Sequence, residues 1–195
     1  MTRSASVTVR RLTVDDGPAI LQMWGELRDI GGRIERMIPD PDAAGLCQRI
    51  AEIDANPNCR ALVAVLDGEV VGMVLLTDSV YAPLLEPRAA HAHYLHVRDG
   101  FRRRGVGKAL LAATVSYAEE VGAEHVVTSV LPQLRDTQRF YARLGFGPVV
   151  VRRSVPVPVL RRRLKPAGGT TVTEHLVARR RTLRRVRAAV ARVSD

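Results

Sequence analysis

The apolar positions along the chain change period several times, and each change marks an element. Val7–Leu12 alternates apolar and polar residues, which predicts a short half-buried strand. Ile20, Leu21, Trp24 and Leu27 then recur at helical spacing after Asp15 and Asp16, which are suited to cap a helix, and Gly31–Gly32 ends the pattern. A second helix is expected over Asp42–Asp54, stopping before Asn56–Pro57. The runs Ala61–Leu66 and Glu69–Thr77 are separated by Asp67–Gly68. That pair predicts a hairpin with a primed turn, because glycine supplies the positive φ the turn requires.

Pro83 and Pro87 mark a loop before a strand expected over His91–Val97. A glycine-bearing loop, Arg98–Val106, leads into a helix that ends near Gly122. A strand over His125–Leu131 follows, then a short helix ending at Leu144 with Gly145 as its left-handed cap. Val149–Val155 and Val157–Leu164 read as two last strands, with Pro156 and Pro158 at the connection or on an edge. The order predicts an α/β fold with a mixed, mostly antiparallel central sheet of about seven strands flanked by helices.

Beyond Pro166, Ala167–Thr171 is a break with capping hydroxyls, and Val172–Val193 contains neither glycine nor proline. Leu176, Leu183 and Val190 repeat every seven residues there, which predicts a basic C-terminal helix used for assembly or docking. Residues 1–165 are therefore read as one domain and 166–195 as its helical extension, with a homodimer as one use of that helix.

Composition changes this picture only in where the charge sits. The 195 residues carry a net charge of +10. Thirteen basic residues stand against Glu174 and Asp195 from Val150 onward, so residues 1–149 are near neutral and the tail holds the excess. A uniformly basic nucleic-acid-binding domain is not what this describes. The longest apolar stretch, Val70–Leu76, is too short to span a bilayer, and the N-terminal residues show no apolar signal segment. Cys47 and Cys59 lack metal-ligand spacing. A cytoplasmic protein with no membrane partner is expected.

The segment Leu95–Leu111, LHVRDGFRRRGVGKALL, carries the chemistry. A strand enters a tight loop that opens a helix near Gly105. Early helix amides lack intrahelical acceptors and the macrodipole is positive at that end, so an anion is favoured there. Gly105 and Gly107 admit close backbone approach, and Arg102, Arg103, Arg104 and Lys108 add positive charge. A pyrophosphate would be well served. The P-loop pattern fails because Val106 stands where its lysine belongs, and the dinucleotide fingerprint fails at Leu110. What remains is R-x-x-G-x-G, Arg102 to Gly107, after a strand ending in L-x-V.

With Phe140–Phe146 (FYARLGF) downstream, these residues resemble the GCN5-related N-acetyltransferase (GNAT) superfamily over roughly residues 7–164. The resemblance implies that the backbone at Leu95 and Val97 bonds the pantetheine arm of acetyl-CoA. It also implies that Arg103 to Ala109, including Val106, offer their amides to the pyrophosphate. Tyr141 matches the family tyrosine that protonates the coenzyme A sulfur. The family often has an asparagine seven residues before that tyrosine; here the position is Leu134.

Residues two apart on a strand share a face, so His91 and His93 point to one side, in line with Leu95 and Val97, while His96 alternates to the other. H-x-H before L-x-V is similar to the arylalkylamine N-acetyltransferase pattern, where paired histidines relay the amine proton. An imidazole pKa near ~6.5 suits that task. A strand with a polar face is the alternative, and His91 and His93 lack a third ligand for a metal.

The function expected is transfer of an acetyl group from acetyl-CoA to a primary amine by direct attack, the acceptor being a small molecule or a peptide amine. Trp24–Ile38 and Val80–Ala90 would line the acceptor side, with Glu26, Asp29, Glu35 and Tyr81 among them. A non-catalytic acyl-CoA sensor of the same fold is the second reading. A nucleic-acid partner ranks last, since an aromatic content of 4% supplies few stacking groups.

Overall fold

Asp67 and Gly68 take φ values of 53° and 83°, as a two-residue primed turn demands, and the chain reverses between them. The structure, a computed structural model, describes residues 6–31, 42–80, 88–130, 134–151 and 153–164. Its elements are β1 (Thr8–Arg11), α1 (Gly17–Gly31), α2 (Ala43–Asp54), β2 (Cys59–Leu66), β3 (Glu69–Val80), β4 (Arg88–Val97), α3 (Val106–Glu120), β5 (His125–Thr128), α4 (Arg135–Ala142) and α5 (Val157–Arg163). The chain divides into two compact units at Gly145/Phe146, and each is described by itself.

In the first unit, the sheet order is β1-β2-β3-β4-β5. The first four strands pair antiparallel, and β4 pairs with β5 in parallel. The sheet is mixed and mostly antiparallel, as expected, with five strands among the described residues in place of about seven. One core cluster lies between the sheet and α3 and includes Leu62, Val74, Leu76, Ala92, Leu110 and Tyr117. Burying a Leu or Phe-sized side chain contributes about 1.5–3 kcal/mol. The second cluster joins Ile20 and Met23 of α1 to Val63 and Met73 on the opposite face. Gly72 sets the spacing of the first layer. A Cβ there would lie 3.0 Å from the His96 carbonyl oxygen and 3.1 Å from Val106 Cγ1, so only glycine lets α3 pack this close.

The cap of α1 differs from the sequence reading. Thr13 begins a single 3-10 turn, Val14–Asp16, and the Asp16 carboxylate reaches back to accept from the Thr13 amide at 2.9 Å. Asp42 caps α2 as expected, its side chain accepting from the Gly45 amide.

In the second unit, the two strands expected over 149–155 and 157–164 are absent among the described residues. Val157–Arg163 is a helix with Pro156 at its N-cap and Pro158 in its first turn. A proline costs little there, because the first helical amides have no intrahelical acceptor. Val149, Val150 and Val151 are exposed and in no regular element. Their β-propensity acts only where a partner strand offers a pleated surface. The helix expected over Val172–Val193 lies outside the described residues.

Candidate functional site

The register of β4 against β3 decides what faces what. His91 pairs with Thr77 and His93 with Leu75, but His96 pairs with Met73 and Val97 with Gly72. Two steps along β3 therefore correspond to three along β4, which is a β-bulge. The extra residue is accommodated at Tyr94, whose φ is +53°. Alternation restarts after it with the opposite phase. His91, His93 and His96 all point to the α1 side, while Leu95 and Val97 pack against the α3 cluster. The sequence expectation that His96 faces away from the other two histidines, and that Leu95 and Val97 share their face, is corrected by this one residue.

The imidazoles of His91 and His93 stack with centroids 5.7 Å apart and planes at 11°. His93 Nε2 shares a 2.9 Å hydrogen bond with Thr77 Oγ1. His96 is 5% exposed and bonds Glu26 of α1 at 2.8 Å. Arg98 lies 3.5 Å from the other Glu26 oxygen and also bonds Glu69. The sequence gives no local sign of this His96–Glu26–Arg98 chain, since its members meet only through the bulge and the docking of α1.

β5 pairs with β4 only from Ala89↔His125 to Ala92↔Thr128. β4 continues to Val97, so beyond Ala92 this edge has no strand alongside it among the described residues. The strand delivers the chain to a 3-10 turn, Asp99–Phe101, and then to α3. Arg102 braces this loop, its Nε donating to the Val97 carbonyl at 3.2 Å and its guanidinium meeting Asp99 at 2.7 Å. Arg103 and Gly105 take φ of 62° and 87°, which turns the backbone into the helix. The first intrahelical bond runs from Ala109 N to Gly105 O at 3.0 Å, so the amides of Val106, Gly107 and Lys108 precede it. Arg103, Arg104 and Lys108 are exposed around that helix end.

The two glycines of this loop have different reasons. Nothing lies within 4 Å of a Cβ built on Gly105, so the space in front of it is open, and its left-handed backbone excludes most side chains. A Cβ on Gly107 would stand 3.3 Å from Phe140 Cζ of α4, so this position lets two helices touch.

That contact seats Tyr141, which is 4% exposed. The Thr128 hydroxyl lies 3.1 Å from the Ala92 carbonyl oxygen and 3.4 Å from the Tyr141 hydroxyl, and its one proton can go to either. Tyr141 is thereby held beside the last paired residues of β4 and β5, where the strands part. Burial pushes its phenol above the ordinary tyrosine value, and the Thr128 hydrogen bond pulls it partly back. Leu134 is the N-cap of α4 and makes no side-chain capping bond, so the missing asparagine leaves that helix end uncapped by its own side chain. Among the described residues no group of three or more His, Cys, Asp or Glu is placed to hold a metal ion, and no helix is long and apolar enough to cross a membrane.

An uncharacterised N-acetyltransferase of Methanocaldococcus jannaschii is 31% identical over 84 residues, which are 43% of this chain and 37% of that protein. The chain thus matches well under half the length of that curated relative. Among solved structures, a transcriptional regulator from Bacillus halodurans superposes with a TM-score of 0.66 at 23% identity, covering 77% of this chain and 99% of that one. An aminoglycoside N-acetyltransferase in complex with CoA gives 0.60 at 20% identity, covering 79% and 98%. Glucosamine-6-phosphate N-acetyltransferase from Arabidopsis thaliana gives 0.63 at 15%, covering 78% and 99%. These likenesses show the fold. The family model for the acetyltransferase (GNAT) family matches residues 24–146, more than half of the sequence, and the chain belongs to that family.

Proposed function

We propose that this chain is an acetyl-CoA-dependent N-acetyltransferase that acetylates a primary amine. The observation that carries the reading is the open edge of β4 leading across Gly105 to the unpaired amides of α3, with the Tyr141 hydroxyl buried where β4 and β5 part. Acetyl-CoA supplies a thioester acyl group when bound. The residues fit it: the β4 edge from His93 to Val97 can bond an extended amide-bearing arm, and the helix end with Arg103, Arg104 and Lys108 can hold a pyrophosphate. Arg102 serves the loop rather than the anion, since its side chain is already engaged by Val97 and Asp99.

His91 and His93 accept the proton of the incoming ammonium, leaving a neutral amine to form the new C–N bond. Their pairing on one face, with Thr77 orienting His93, supports that role. Tyr141 gives its proton to the sulfur as the C–S bond breaks and regains one from solvent or from the acylated nitrogen. Its buried, raised phenol keeps that proton at neutral pH. Structural neighbours named for aminoglycoside and glucosamine-6-phosphate acetylation support a small-molecule acceptor.

The test is thiol release from acetyl-CoA across a panel of amines, with the acetylated product identified by mass. Amine-dependent release is expected. Saturable coenzyme A binding with no product from any amine would instead favour an acyl-CoA sensor.

A further inference from the structure

Two guanidinium groups lie over one phenyl ring at the mouth of α3. Arg98 and Arg104 place their Cζ atoms 5.6 and 5.5 Å from the ring centroid of Phe101. The ring ends the 3-10 turn Asp99–Phe101 and packs against the core cluster between the sheet and α3, which seats it. Arg98 is seated as well. Its side chain is 19% exposed and meets both Glu26 and Glu69, and its amide donates to the Val71 carbonyl at 3.0 Å.

The arginines of this loop are restrained in two different ways. Arg98 faces Glu26 and Glu69, and Arg102 faces Asp99, so the charge of each is matched. Arg104 is exposed, and among the described residues no ion pair joins it to a carboxylate. What restrains it is the Phe101 ring. A ring face attracts a guanidinium without neutralising it and leaves the N–H donors along its edge available. A carboxylate in the same place would occupy those donors and repel an anion. Arg104 adjoins Gly105, the N-cap of α3, so this cation stands beside the amides that precede the first intrahelical bond. An arginine already stacked also loses less side-chain entropy on clasping a ligand than a free one does.

We propose that Phe101 is a positioning residue for the acyl donor: it holds the Arg104 guanidinium at the helix mouth, still charged, to receive a diphosphate. This rests on the coenzyme A reading above. In this role Phe101 acts only through Arg104, a dependence that a merely structural ring would lack.

Coenzyme A binding to the full chain is measured by calorimetry for the wild type, Phe101→Leu, Phe101→Tyr, Arg104→Ala and the Phe101→Leu/Arg104→Ala double variant. Phe101→Leu keeps an apolar side chain against the core but removes the ring face, and should weaken coenzyme A about fivefold. Phe101→Tyr keeps the face and should bind as the wild type does. Arg104→Ala should weaken binding about tenfold, and adding Phe101→Leu to it should cost less than about twofold more. In turnover, Phe101→Leu should raise KM for acetyl-CoA and leave kcat within about twofold of wild type. Losses that multiply in the double variant overturn the proposal, as does Phe101→Tyr binding as weakly as Phe101→Leu. Arg104→Lys leaves the core untouched, so it tests the same point if the leucine variant fails to fold. It keeps the charge without the planar group, and about a threefold loss is expected; wild-type affinity would overturn the proposal, because charge alone would then suffice. Multiplying losses in a protein that releases thiol with an amine remove the positioning role and leave the transferase reading standing. Coupled losses in a protein that releases thiol with no amine do the reverse.

Discussion

The imidazole of His96 and the carboxylate of Glu26 meet at 2.8 Å across the interface of β4 and α1, seventy positions apart in sequence. The pair exists because Tyr94 inserts one residue into β4. Were Tyr94 paired as an ordinary strand residue instead, His96 would turn toward α3, and Leu95 and Val97 would face Glu26. The same insertion brings Tyr94 beside Trp24, so one irregular residue both ties α1 to the sheet and pairs those two rings.

Removing Glu26 should therefore loosen α1 more than an ordinary surface change would. His96 is buried, and losing its partner leaves a buried polar group, at a cost of about 1–3 kcal/mol. Glu26→Ala is expected to lower the urea midpoint without changing its slope. A surface substitution such as Glu52→Ala, on the exposed side of α2, should move it far less.

Gly105 and Gly107 should separate in a binding experiment. Gly105→Val places a β-branched residue at φ near 87° and puts side-chain atoms into the open space before the α3 amides. Coenzyme A affinity, measured by calorimetry, should fall strongly. Gly107→Ala instead pushes on Phe140 and should show first as lost stability, about 1–3 kcal/mol by analogy with overpacked cores. Equal effects of both variants on affinity and on stability would argue against the division.

What could be read from the sequence was local chemistry. Asp67–Gly68 specifies its turn within two residues, and R-x-x-G-x-G carries its own reason for being where a strand becomes a helix. The bulge at Tyr94 was not legible, because the extra residue is defined by pairing with Met73 and Leu75 on another strand. Period-two reasoning along β4 alone necessarily put His96 on the wrong face. The valine-rich segment after Phe146 misled for a related reason: strand propensity is realised against a neighbour, and Pro156–Pro158 instead starts a helical turn.

Asp16 links acid stability to the start of α1. Arg10 bonds both of its oxygens at 2.7 Å, and the Thr13 amide and hydroxyl add two more hydrogen bonds. The Arg10 hydrogen bonds hold the carboxyl below its ordinary value, with burial opposing and Thr13 assisting. A carboxyl lowered on folding stabilises fully above its unfolded pKa of ~3.9, and the contribution is lost as pH falls through the folded value. Asp16→Asn should cost about 1–3 kcal/mol at pH 7. Below pH ~4 the wild-type Tm should fall toward that of the variant. Parallel Tm curves down through acid pH would show that Asp16 does not titrate differently in the folded state.

Tyr141→Phe is the sharpest test of the chemistry. The ring keeps its place against Phe140, with centroids 5.3 Å apart, while the 3.4 Å hydrogen bond between the Thr128 and Tyr141 hydroxyls disappears. That bond is long and Thr128 retains the Ala92 carbonyl, so stability should change by less than about 1 kcal/mol. Coenzyme A affinity should hold as well, because the hydroxyl is not part of the helix end or the β4 edge. In the proposed mechanism Tyr141 delivers the proton to sulfur, so kcat should drop by ~10²- to 10⁴-fold. Burial raises the phenol above its ordinary value, so in the wild type activity should persist to higher pH than an exposed tyrosine would allow, falling only when the phenol ionises. The variant should lack that alkaline fall. A kcat within a few-fold of wild type, with the alkaline limb unchanged, would return Tyr141 to the role of a packed aromatic and move the acid to water.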